Sequence, residues 1–174
     1  MLKEVRVNTK ALESMLFIWV SLADREKIAD EFFIRLAESP EMEAAYREGF
    51  DQNGFRKVLS ALANREILSD ATAEEKRFWN NNMWMTEDLD FTRMMLDPVK
   101  TLNLDSLKKE VPDYPGETLE VIFYPGTTEF WEKRGDKLFI NFFKVSVDIY
   151  DEDAPATIDG REIPVFIRDV LYEA

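Results

Sequence analysis

Apolar residues recur at helical spacing through the first 110 positions of the chain and change to strand-like runs after residue 117. Ile28, Phe32 and Leu36 keep one stripe, preceded by Ser21-Leu22-Ala23-Asp24, which has the form of a capping box. Ser39-Pro40-Glu41 supplies a cap, a first-turn proline and an acid, and Gly49 suits the far end of that helix. Asn53-Gly54 predicts a turn before the stripe Phe55, Val58, Leu59 and Leu62. Thr72 with Glu75 is the cleanest capping box, opening a helix through Phe78, Trp79 and Met83. Thr86 is the predicted cap of a helix from Leu89 to Leu96, stopped by Asp97-Pro98.

The last third reads differently. Leu119 to Tyr124 predicts a strand closed by Pro125-Gly126, and Thr128 to Lys133 predicts a second. Arg134-Gly135-Asp136 turns into a long strand from Leu138 to Tyr150, with period-2 alternation over its second half. Asp159-Gly160 is a strong hairpin signal, and Pro164 suits either a final helix or an edge strand. These elements predict one α+β domain over residues 1–174. Its helical N-terminal part (1–110) packs on one face of a C-terminal antiparallel β-meander (117–174).

At the N-terminus, Lys3, Arg6 and Lys10 precede the apolar run Met15 to Val20, a pattern that imitates a targeting segment. Glu13 interrupts it, so the run is read as a core element. No stretch reaches the roughly 18 apolar residues of a membrane span.

Composition removes chemistry rather than adding it. The chain has no histidine and no cysteine. Imidazole general acids and bases, thiolate nucleophiles, disulfides and zinc sites of the Cys/His type are therefore excluded. Six glycines spell no phosphate-binding loop. No cofactor and no metal site is expected.

Charge points to the class of partner. The net charge is −13, with 16 acids against 12 bases in residues 1–87 and 19 against 10 in residues 88–174. Such a surface repels nucleic-acid phosphates and attracts basic proteins or cations. The acids Asp148, Asp151, Glu152 and Asp153 form the densest run, without the spacing of an EF-hand loop.

The candidate binding segment lies between Trp79 and Asp90. Three consecutive asparagines, Asn80 to Asn82, interrupt a helical pattern between Trp79 and Trp84, at a cost in local helix stability. A continuous helix would place Asn80, Trp84 and Asp88 on one stripe with Glu87 alongside. Trp79, Asn80, Trp84, Glu87 and Asp88 are the candidate ligand- or partner-binding residues. The alternative is that the tryptophans only pack between helices.

Together these features predict a soluble, acidic, cytoplasmic binding protein that recognises another, basic protein, in the manner of small inhibitors and immunity proteins. The competing expectation is a carboxylate-dependent enzyme, such as a hydrolase assisted by Mg²⁺ or Ca²⁺.

Overall fold

The computed structural model describes residues 1–174. The chain starts with a strand, β1 (Glu4–Asn8), and then runs through helices α1 (Lys10–Ala23) and α2 (Asp30–Glu38). A 3₁₀ segment (Pro40–Ala45) leads to α3 (Gln52–Asn64), α4 (Ala73–Glu87), α5 (Leu89–Lys100) and the single turn α6 (Leu107–Glu110). Strands β2 (Thr118–Tyr124), β3 (Trp131–Arg134) and β4 (Lys137–Asn141) follow. The short strands β5 (Val145–Ser146), β6 (Thr157–Ile158) and β7 (Arg161–Glu162) precede the last helix, α7 (Ile163–Glu173). The class is α+β, with helices first and most strands after them.

The principal sheet is mixed, in the order β1-β2-β4-β3. β1 and β4 both run parallel to β2, and β3 is antiparallel to β4. The whole helical part is thus the crossover between two parallel neighbours, β1 and β2. A simple meander would place β3 beside β2; instead β4 is inserted between them. Residue chemistry explains the order. Leu138, Phe139 and Ile140 are all buried, as an interior strand requires, whereas Trp131-Glu132-Lys133-Arg134 is polar enough for an edge. In β2, Leu119, Val121 and Phe123 alternate with Ile122 and Tyr124, and all five are buried. Both faces of the sheet are therefore covered at this strand, not one. The small second sheet, β5-β6-β7, is antiparallel and turns at Asp159-Gly160, where both residues have positive φ.

Local signals account for four of the seven helix starts. Thr72 Oγ1 accepts from Glu75 N at 3.0 Å while Glu75 Oε1 accepts from Thr72 N at 2.9 Å, the reciprocal capping box. Pro164 lies in the first turn of α7. Other ends differ from expectation. Ser21 is buried in the last turn of α1 and accepts from Glu26 N, so it closes a helix instead of opening one. Asp51 caps α3 through Gly54 N at 2.7 Å, which draws Asn53-Gly54 into the helix. Asp88, not Thr86, caps α5. The expected strand from Leu138 to Tyr150 breaks at Asn141, whose Oδ1 accepts from Phe143 N at 3.0 Å in a 3₁₀ turn.

One cluster of 40 buried apolar residues runs from Leu2 to Val170 and draws on both the helical and the strand parts. The run Met15 to Val20 belongs to it through Met15, Ile18 and Trp19 in α1. No helix is long and apolar enough to cross a membrane.

Candidate functional site

Helix α4 carries the tryptophan–asparagine segment, and its three asparagines do three different things. Asn82 is fully buried, accepts from Trp19 Nε1 at 2.9 Å and donates to the Phe78 carbonyl at 2.8 Å. Asn81 reaches across to the loop after β2, donating to Gly126 O at 3.3 Å. Asn80 is exposed. The helix propensity lost at 81 and 82 is thus offset by tertiary hydrogen bonds.

The loop that Asn81 touches is itself tightly built. Glu129, with a side chain only 10% exposed, accepts from the Tyr124 hydroxyl at 2.8 Å and from the Thr127 hydroxyl at 3.0 Å. Tyr124 uses Oε1 and Thr127 uses Oε2, and Arg47 Nη1 lies 3.2 Å from the same Oε2. Burial, followed by the Glu129 charge and hydrogen bond, pushes the Tyr124 phenol well above its ordinary pKa of 10.0. Asn141 completes the network, accepting from Gly126 N at 3.0 Å and donating to Glu129 O at 2.9 Å. These partners engage both Glu129 oxygens, so this carboxylate holds the loop in place.

The five candidate residues do not share one cleft. Trp79 and Asn80 line a hollow of about 670 Å³ between α4 and the end of α3, together with Leu62, Leu68 and Met83. Trp84 lines a different one, of about 300 Å³, with Met85, Phe91, Met95 and Val147. Asp88 ends α4 and caps α5, accepting from Phe91 N at 3.0 Å, and so leaves the stripe on which a longer helix would have placed it. Glu87 and Asp88 are exposed. Trp79 is half-buried, and its indole Nε1–H is buried with no acceptor in the chain.

The Trp84 hollow has a neighbour that the helical pattern does not reveal. Val147 also lines a hollow of about 370 Å³ that contains Asp97, Asp148, Asp151 and Glu152 and no basic residue. The two hollows meet at Val147, the first apolar and lined from α4, α5 and residues 143–147, the second acidic and lined from α5 and residues 147–156. Trp84 is 67% exposed at the apolar hollow, and Tyr150, 92% exposed, stands near the acidic one. Asp148 and Asp151 each accept a backbone N–H two residues on, at 2.9 and 3.1 Å, which fixes the acidic loop locally. Nowhere in the chain do three acidic side chains converge as the ligands of a cation.

Sequence reasoning found Trp84 and the acidic run but not their adjacency. Phe143 and Val147 belonged to a predicted strand, and no signal in that alternation indicates which helix lies opposite. No known protein family, curated protein or solved structure matches the chain, so the arrangement of side chains is the ground for any functional reading.

Proposed function

We propose that this chain is a binding protein whose groove along α5 takes a basic segment of a partner protein. The observation that supports this reading most is that Val147 lines both hollows, which sets the apolar one beside the acidic one. An exposed indole beside Phe91 and Met95 provides an apolar anchor point of the kind that dominates interface energetics. Four carboxylates without a cation among them await lysines or arginines. Opposite charge steers the encounter, and the aromatic end sets the lifetime of the complex. The net charge of −13 acts in the same direction at long range.

The competing reading, a carboxylate-dependent hydrolase, would draw on the same four acids. Nothing in their placement specifically favours it, since they form no three-ligand cage and the hollow offers no cation to stabilise a developing oxyanion.

A synthetic amphipathic peptide rich in lysine, with two leucines one helical turn apart, tests the proposal by stopped-flow fluorescence. The expected on-rate falls at least tenfold between about 0.05 and 0.5 M salt, because screening shortens the reach of the acidic groove. An on-rate independent of salt, or equal binding of a glutamate-substituted peptide, would contradict it.

A further inference from the structure

The hollow between α3 and α4 has the opposite electrostatic character, and we propose that it is a separate site for a small organic anion with an apolar body, such as a medium-chain carboxylate. Its volume of about 670 Å³ falls in the range of small-molecule sites, and its walls include Leu62, Leu68, Trp79 and Met83. Arg65 and Lys76 line it, with Glu66 as the single acid. Two cations against one acid is a local excess of positive charge in a chain of net −13. Neither Arg65 nor Lys76 belongs to any ion pair of the chain. Asn80 adds an exposed amide to the same hollow. An apolar body would cover the Leu62, Trp79 and Met83 surfaces while its carboxylate met the two cations. The site stands apart from the α5 groove, whose acidic end would repel such a ligand.

Arg65 offers an unusually clean test. It closes α3 in a left-handed conformation, φ 56°, with Arg65 N bonded to Leu62 O and Glu66 N to Ala61 O. This is the helix-ending geometry that glycine adopts without steric cost. Arg65→Gly therefore deletes the guanidinium while suiting the backbone, so lost binding is not lost folding. Isothermal titration with sodium decanoate, kept monomeric, is performed on the wild type, Arg65→Gly and Lys76→Gln, with decanol as the neutral control. The proposal predicts saturable one-to-one binding of decanoate and clearly weaker binding of decanol. Each substitution should weaken decanoate about three- to fivefold, the value of one exposed charge pair, with no fall in the melting temperature of Arg65→Gly. Absence of saturable decanoate binding, decanol binding as tightly, or unchanged affinity in Arg65→Gly would each overturn it. Binding to phosphatidylglycerol vesicles without binding to monomeric decanoate would overturn it as well.

Discussion

Trp19 Nε1 donates to Asn82 Oδ1 at 2.9 Å, joining α1 to α4 by a fully buried side-chain hydrogen bond. Both partners are inaccessible to water, so neither could replace the bond with a solvent contact. Asn82→Ala strands the indole N–H and opens a small void. Urea unfolding should show a loss of about 2–4 kcal/mol for Asn82→Ala. Asn80→Ala, on the exposed face, should be neutral or slightly stabilising, because alanine is the better helix former. Equal effects of the two substitutions would show that the asparagine run has no division of labour.

Gly126 is required for space. A Cβ at this position would lie 2.4 Å from Glu129 Oε1 and 2.8 Å from Asn141 Cγ. Gly126→Ala should therefore disrupt the loop network and cost about 2–4 kcal/mol. At Gly135 nothing lies within 4 Å, but φ is 59°, so Gly135→Ala should cost only about 1 kcal/mol of backbone strain. Parallel denaturation curves of the two variants check the ranking.

Stability should decline in strong alkali. Tyr124 and Tyr46 are both held above the ordinary 10.0, chiefly by burial and then by Glu129 beside the first and Asp51 beside the second. A raised folded pKa means that the contribution is complete below the unfolded value and is lost as pH rises beyond it. The melting temperature should accordingly fall from about pH 10 upward. Replacing Tyr124 by Phe should flatten part of that slope.

Asp169 sets the opposite limit. Hydrogen bonds from Arg161 at 3.0 Å and from Arg168 at 3.0 Å hold its carboxyl below the usual 3.8. A depressed folded pKa contributes stability above the unfolded value and loses it as pH falls through the folded one. Asp169→Asn should thus lower the melting temperature near neutrality and converge with the wild type in acid. A constant difference across the acid range would assign the effect to packing.

Some interactions close in sequence were legible from residue types, although the local caps by Asp51, Asp88 and Asn141 were not. Those between distant segments were not legible at all. Thr72 with Glu75 and Asp159-Gly160 identified a helix start and a hairpin because each device is complete within four residues. β1 was missed since Glu4–Asn8 is short and its partner Thr118–Ile122 lies more than a hundred positions away. Ser21 looked like a cap because only its burial, a tertiary property, shows that it ends α1. Trp84 stood out as a candidate from its unusual surroundings, yet its groove neighbours Phe143 and Val147 come from a segment that Asn141 bends out of the sheet. Alternation alone carries no record of that bend.

Trp84→Ala separates anchoring from packing. With 67% of its surface exposed, its removal should change stability by no more than about 1 kcal/mol and leave thermal unfolding cooperative, while peptide binding at the groove is lost. A broad or early transition would place Trp84 in the core energetics instead.

The most direct test of the groove is a two-dimensional NMR titration of the labelled protein with the basic amphipathic peptide. The largest shifts should fall on the Trp84 indole N–H and on the Met95 and Val147 methyls, accompanied by the amides of residues 148–152. They should vanish in a variant carrying Asp148→Asn and Asp151→Asn. Shifts centred on Leu62 and Met83, or unchanged binding by that variant, would contradict the assignment of this groove as the partner site.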